Sequence, residues 1–459
     1  MRPIDGTRIK ESLTCERSPW LDFHGPRDRI LQPTERMRVL FQSGQRLEER
    51  ILAGMDVESV RFEPGRFDEG FAATLDAMTR RVPAIANGVL KLGEFLGRPD
   101  LLLLSDAGVY EVADIKSTQK VHAAAQMQIA FYSRMLGQIA KPPRFGHVIL
   151  RSGERWTFAL DEIAASLERL LARLQTLRNR VDSDPGPHRV EACTDCRWLA
   201  VCMDDLESSD DPSLAQDVTR EQKAALASAG VTTLRAASAI ADTRAVADAA
   251  GLAHDLVTRF ARRARAVTEG RPQFYGAVRP ELATADLALA AVVDDRAKDA
   301  IVAVAGIVAS RPDRFRVRWL RTREHAQPQQ EFAELVRNLA RTQGPLLIYG
   351  PNVRRALEEG LDLDPSLADT VEALLARTLD VRGELRRACA LPGFDRRPAD
   401  AARAAGLTVD DDDGIDLAAL RHLEDEASAD VDSIARLLRR DLDVMLALRT
   451  FVLAGTASS

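Results

Sequence analysis

The sequence predicts an α/β protein with two sheet-bearing domains and a small helical module between them. Three observations lead there. Short extended runs alternate with helical periods over residues 85–180 and again over 285–350. A Ser-, Asp- and Pro-rich stretch at 208–213 separates the two. At 459 residues the chain is also too long for one ordinary core. The expected domains are 1–205, 214–268 and 270–459.

In order along the chain, residues 34–53 read as a helix, because Met37, Leu40, Phe41, Leu47 and Ile51 recur near helical spacing. Residues 85–116 switch to short extended runs, and a helix is expected over 121–136. Strands at 147–150 and 156–160 and a helix at 162–180 lead to the break Asp184-Pro185-Gly186-Pro187. In the helical module, the segment 226–234 resembles the turn of a helix-hairpin-helix, where Gly230 lets the backbone reverse; a plain helical linker is the alternative, since glycine at a helix C-terminus is common. Strands at 287–293, 301–309 and 315–320, a helix at 331–341 and a strand at 346–349 follow, and the remainder is helical to 437–452. No repeat at solenoid spacing occurs.

Composition narrows the function classes. No run reaches the roughly eighteen uncharged apolar residues a membrane span needs, and residues 1–10 lack the apolar core of a signal peptide. The expectation is a cytoplasmic protein with no membrane partner. The net charge of −6 excludes a general coat of positive charge. The imbalance is uneven: residues 1–204 hold 29 Lys/Arg against 28 Asp/Glu, leaving 34 against 41 beyond. A local basic groove in the first part is compatible with that balance.

The chemistry centres on residues 97–116. Two apolar runs flank Asp106-Ala107-Gly108, a three-residue loop ending in a glycine suited to the left-handed conformation. Ser105 then faces Val109, and counting back along both strands sets Asp100 opposite Asp114. Alternation puts Asp114 and Lys116 on one face, and opposed residues have Cβ atoms about 5 Å apart. Two opposed carboxylates repel unless one is protonated or a cation lies between them. A hard divalent ion, Mg²⁺ or Mn²⁺, suits such oxygen ligands, and with a nearby lysine the parts suit phosphodiester hydrolysis.

Helices add to this site. Gly44 lies four residues before Glu48, so both face one way, and the absent side chain at Gly44 is expected to permit close approach to the sheet. Glu48 is either a third acidic ligand or a solvated helix charge beside Glu49 and Arg50. Gln128 and Tyr132, also four apart, either orient substrate or form a core tyrosine with a glutamine at its rim.

Four of the five cysteines are grouped in a 1+3 pattern, with Cys15 early and Cys193, Cys196 and Cys202 together. In a reducing compartment such grouping suggests metal ligation, and by chemistry alone zinc and an iron–sulfur cluster both remain open. Cys389 reads as a buried small residue.

Together these motifs resemble the RecB-like branch of the PD-(D/E)XK nucleases, and most of all its iron–sulfur members. Gly44 and Glu48 match G-x-x-x-E; Gly97, Pro99 and Asp100 match G-x-P-D; Asp114 and Lys116 match the acid-x-Lys element; Gln128 and Tyr132 match Q-x-x-x-Y. The resemblance implies a restriction-endonuclease-like core and a 4Fe-4S cluster on Cys15, Cys193, Cys196 and Cys202. It also implies a Mg²⁺ or Mn²⁺ ion on Asp100, Asp114, the Ile115 carbonyl and Glu48, with DNA, single-stranded or at ends, as substrate. Repair, recombination or defence, and a helicase or other repair partner, are the implied setting. One departure is Leu47, where many relatives carry His. It raises the alternative of a catalytically weakened iron–sulfur DNA-binding protein; a zinc-stabilised scaffold is a third reading.

The last domain resembles the RNase H-like DEDD exonucleases, which begin with Asp-x-Glu on their first strand. Residues 287–293 are wholly apolar, so Asp380, Asp441 and Asp443 would be isolated acids and the domain is expected to be degenerate. The acidic run 410–413 reads as a solvated loop.

Overall fold

The computed structural model describes residues 2–118, 121–216, 218–293, 302–321, 327–393, 395, 397–409 and 431–457. The acidic run 410–413 lies outside them. The described residues form two compact units that divide between Met203 and Asp204.

In the first unit Ile4–Asp5 (β1) leads into Gly6–Ser12 (α1), Arg17–His24 (α2) and Glu35–Ala53 (α3). The start of α3 is set by Thr34, whose hydroxyl accepts the Met37 N–H at 3.2 Å. Then come Glu58–Ser59 (β2), Phe67–Thr79 (α4), Ala84–Ala86 (β3), Leu90–Leu92 (β4), Phe95–Gly97 (β5), Leu101–Leu104 (β6) and Tyr110–Ile115 (β7). Ala123–Ile139 (α5), Phe145–Ile149 (β8), Arg155–Ala159 (β9) and Asp161–Asn179 (α6) complete the series, and the division between the units falls within Leu199–Ser208 (α7).

Helices α1, α2 and α4 have no counterpart in the sequence reading. The first two are only seven and eight residues long, too short to display a period. The third buries small residues, Gly70, Thr74 and Ala77, in place of a large apolar stripe.

The main sheet runs β2-β3-β6-β7-β8-β9. Strands β6 and β7 are antiparallel, with Leu101 opposite Ala113, whereas β7 and β8 are parallel and α5 makes the crossover that parallel neighbours require. One face packs Leu102, Val112 and Val148 against Ile129 and Phe131 of α5 and Leu171 of α6. On the other face Leu47 of α3 meets Ala86, Leu101, Ala113 and Ile115. The ends of β6 and β7 are thus fixed between α3 and α5.

The second unit opens with Arg220–Ser228 (α8), Leu234–Ser238 (α9), Thr243–Ala250 (α10) and His254–Glu269 (α11). Between α8 and α9 the chain reverses through Gly230 at φ +85°. Gln273–Phe274 (β10), Glu281–Thr284 (α12), Leu287–Val293 (β11), Val302–Val308 (β12), Arg311–Arg321 (β13), Pro328–Ala340 (α13) and Leu346–Ile348 (β14) follow. Asn352–Gly360 (α14), Ala368–Ala376 (α15), Thr378–Asp380 (β15), Val381–Ala388 (α16), Cys389–Ala390 (β16), Pro398–Ala404 (α17) and Val431–Ala457 (α18) end the unit.

Its sheet has the order β13-β12-β11-β14-β15. The pairings β11–β12 and β12–β13 are antiparallel, and β11–β14 and β14–β15 are parallel. Strand β11 is apolar throughout because it is covered on both faces. Ala288 joins one core with Leu347 and Leu438, while Leu289 and Ala291 join another with Phe332 and Leu346.

Candidate active site

The β6–β7 hairpin closes in the register read from the sequence. The Ser105 N–H donates to the Val109 carbonyl at 2.8 Å, and Gly108 takes φ +68°. With Leu101 opposite Ala113, the next residues outward are Asp100 and Asp114. The Ile115 N–H donates to Asp100 Oδ2 at 2.6 Å, and the Lys116 ammonium pairs with Asp114 Oδ2. Asp100, Asp114, Ile115 and Lys116 therefore come together at one end of the sheet.

The electrostatics of this corner are strained. Asp114 is only 1% exposed, and its Oδ1 is buried without a hydrogen-bond partner. Burial, then the Asp114 carboxylate, push Asp100 well above the ordinary carboxylate range, against the pull of Lys116 and the Ile115 N–H. Burial opposes the charge on Lys116, yet Asp114 and Asp100 hold its ammonium above the usual lysine value. A buried oxygen with no donor, facing a second carboxylate, fits a hard divalent cation, which asks for one or two carboxylates and fills the rest of its shell with water and phosphate. Among the described residues no three His, Cys, Asp or Glu side chains converge on one ion.

Glu48 is half-buried on α3, whereas Glu49 is exposed. Burial, then Asp114, raise the Glu48 pKa, and Arg98 and Lys116 oppose the rise. Glu48 thus lies in the field of the pair without completing a three-carboxylate group. The expectation for Gly44 needs correction, because a Cβ built there would meet nothing within 4 Å. No close approach of α3 to the sheet depends on this glycine, and open space adjoins it on the face shared with Glu48. Gly44→Ala is accordingly expected to stabilise the protein by up to about 1 kcal/mol, read by chemical denaturation; a loss of stability would show that α3 does need the glycine.

Gln128 and Tyr132 are both buried in α5, and Gln128 Nε2 donates to the Tyr132 hydroxyl at 2.9 Å. Gln128 Oε1 is buried without a partner. The N-terminus of α1 sits directly on the pair, since a Cβ at Gly6 would fall 2.0 Å from the Tyr132 hydroxyl. Burial, then Asp114, raise the Tyr132 pKa, which places the ring close to the carboxylates. In this arrangement the two side chains support the start of α1.

A further residue went unread. Lys10, exposed on α1, stands in the field of the site: desolvation by its neighbours and Lys116 lower its pKa, while Asp114 and Asp100 raise it. No local pattern marks Lys10, because its position follows from the seating of α1 on α5.

The four grouped cysteines are half-buried thiols. Burial raises Cys196 and pushes Cys202 up to about 11, and Cys15 acts on both, so it lies in their neighbourhood, although among the described residues the four thiols do not converge on one metal position. Donors already face the sulfurs: the Val190 N–H reaches Cys193 Sγ at 3.3 Å, the Trp198 N–H reaches Cys196 Sγ at 3.4 Å, and Arg17 Nη1 reaches Cys202 Sγ at 3.6 Å. Such donors stabilise thiolates, the form that ligates metal.

A second tie joins the same segments. Asp22, whose side chain is 1% exposed, accepts from Arg8 at 2.9 Å, from Arg197 at 2.6 Å and from the Trp198 indole at 2.9 Å. Arg197 also bonds both oxygens of Glu11.

In the second unit Asp380 caps α16, accepting from the Arg382 N–H at 3.0 Å and the Gly350 N–H at 2.9 Å. Asp443 pairs with Arg439 at 2.8 Å and Asp441 with Arg440 at 3.0 Å. Each of these acids has a local structural partner. Cys389 is buried, as expected.

Residues 9–203 match the family model of the PD-(D/E)XK nuclease superfamily. The mixed α/β architecture is consistent with that fold, and the match suggests a nuclease. No curated protein matches the chain. Among the described residues no helix is long and apolar enough to cross a membrane.

Proposed function

We propose that residues 1–205 are a RecB-like, Mg²⁺- or Mn²⁺-dependent deoxyribonuclease acting as an exonuclease on single strands or DNA ends, in repair, recombination or defence. The observation that carries this reading is the buried, unpartnered Oδ1 of Asp114 beside Asp100, with Lys116 on the other oxygen. Asp100 and Asp114 would hold the ion, with the Ile115 carbonyl and Glu48 as further ligands. When bound, the ion supplies Lewis acidity at the phosphodiester and a water activated near neutral pH.

The chain's own groups do the rest. Asp114 fixes the Lys116 ammonium at the site, where it stabilises charge developing on the phosphate. Asp100, whose burial beside Asp114 favours the neutral form, would hold the ion only as the carboxylate, so binding would be coupled to release of a proton. Gln128 and Tyr132 position substrate through α1.

Cys15, Cys193, Cys196 and Cys202 are read as the ligands of a 4Fe-4S cluster, with Zn²⁺ as the alternative. A cluster puts each thiolate on its own iron and needs no convergence on one point. For the second unit, a sheet ordered 3-2-1-4-5 in sequence terms supports the RNase H-like reading. Its apolar first strand and the capping role of Asp380 support a degenerate domain, one that positions substrate or partner, for instance a helicase. The helices of 214–268 remain open to nucleic-acid contact.

A second reading, a DNA-binding protein with weakened catalysis, is favoured by Leu47, which is locked into the apolar core where relatives carry His. One assay separates the two: cleavage of end-labelled single- and double-stranded DNA with Mg²⁺ or Mn²⁺ by anaerobically purified protein, beside Lys116→Ala. Cleavage by the wild type and a fall of about 10²–10³-fold in the variant are expected. Wild-type protein that binds DNA and leaves it intact with both metals would sink the nuclease reading. Metal analysis of the same sample should find iron, with visible absorbance that Cys196→Ser removes; zinc in its place would overturn the cluster assignment.

A further inference from the structure

A cavity of about 240 Å³ opens within the second unit beside α11, α16 and the β10–β16 pair. Its lining includes Arg259, Arg263, Arg386 and Tyr275, with Asp395 as the single acidic residue. Three cations facing one anion leave an excess of two positive charges on the wall. Residues 205–459 are acidic as a whole, with 34 Lys/Arg against 41 Asp/Glu, so this concentration of arginine is local.

Two of the guanidinium groups are held in place by the protein itself. Arg386 Nη2 donates to Asp395 Oδ1 at 2.8 Å, and Arg263 Nη2 donates to Gln216 Oε1 at 3.2 Å and to the Gly393 carbonyl. Arg259 is exposed on the same face of α11, four residues before Arg263. Between them Arg262 lies over the Tyr275 ring, 4.0 Å from its centroid, and extends the basic surface.

Pre-positioned planar forks match the oxygens of a phosphate. A phosphomonoester carries about −1.5 to −2 charges near neutrality, which balances the excess on the wall, whereas a diester in a strand's interior carries one. The volume is below the usual span for a drug-sized ligand, about 300 Å³ upward, and suits a phosphate with its attached sugar.

We infer that this cavity binds a phosphomonoester, supplied either by a free nucleotide or by the phosphorylated end of a DNA strand. The site lies in the second unit, and the inference stands whether or not the first unit cuts DNA.

The test is calorimetric titration of the full-length protein, its cysteine site loaded as purified, with deoxyadenosine 5′-monophosphate and with deoxyadenosine, in the presence of a chelator. The monophosphate is expected to bind at least tenfold more tightly than the nucleoside. Arg259→Gln should weaken it at least fivefold with thermal stability unchanged, and Arg259→Lys should fall between. Competition then identifies the source. A 5′-phosphorylated oligonucleotide that displaces the monophosphate better than its 5′-hydroxyl counterpart points to a strand end, and equal, weak displacement by both points to a free nucleotide. Equal affinity for nucleotide and nucleoside, no binding of the monophosphate, or full affinity in Arg259→Gln would overturn the inference.

Discussion

Asp100→Asn is expected to be more stable than the wild type in chelator at neutral pH, and to lose DNA cleavage by about 10²–10³-fold or more. The gain follows from the raised pKa of Asp100. Between the ordinary value of 3.8 and its raised folded value, the folded protein binds more protons than the unfolded chain. Stability therefore falls as pH rises through that window, and the cost persists above it. Asparagine retains an acceptor for the Ile115 N–H and an amide donor for Asp114, and it cannot ionise. The stabilisation should be present at pH 7 and disappear as the pH falls through 4, with the melting temperature shifting about 2–4 °C per kcal/mol. Mn²⁺ at a hundredfold its dissociation constant should stabilise the wild type by about 2.7 kcal/mol and leave the variant unmoved. Thermal scans from pH 4 to 8, with and without Mn²⁺, measure all of this. A variant less stable than the wild type in chelator would mean that the two carboxylates do not repel.

Asp22→Ala should strongly destabilise the first unit, by about 2–4 kcal/mol in chemical denaturation. It removes the shared acceptor of Arg8, Arg197 and the Trp198 indole, leaving Arg8 with Asp5, Arg197 with Glu11 and the buried indole N–H without its acceptor. Because the ion network and the cysteines join the same segments, iron content should fall with stability. A loss below about 1 kcal/mol would show that the remaining ties, Arg17–Asp184 and Arg197–Glu11 among them, hold the segments without Asp22.

How far the site could be read from sequence depended on how local its determinants are. Asp100, Asp114 and Lys116 were legible because a three-residue turn ending in Gly108 fixes the register of both strands, and none of the three lies more than eight residues from that glycine. The i,i+4 spacing of Gln128 and Tyr132 likewise placed them on one helical face, though not their burial under Gly6. Lys10 and Asp22 were illegible. Their partners lie on segments far along the chain, 175 residues away in the case of Asp22 and Arg197, and no spacing rule spans such a gap. Gly44 was misread because a glycine on a helix face signals either contact or vacancy, and only the packing tells which. In the second unit, the apolar run 287–293 was read correctly as a strand, and its cover on both faces explains why it carries no acid.

The tie between Asp22 and Arg197 also sets a timetable for synthesis. Helix α2 is translated 175 residues before the arginine that completes its buried site. At about 5–20 residues per second the ribosome takes roughly 9–35 s to reach it. Through that interval Asp22 has only Arg8 of the eventual pair, and the faces of α1 and α2 that later meet the cysteine loop wait exposed to chaperones and proteases. A chain that stops before Arg197 keeps the ties of Arg17 to Asp184 and of His24 to the Leu177 carbonyl but leaves Asp22 without Arg197 and the Trp198 indole, so the buried centre of the first unit closes only after the cysteine loop is made.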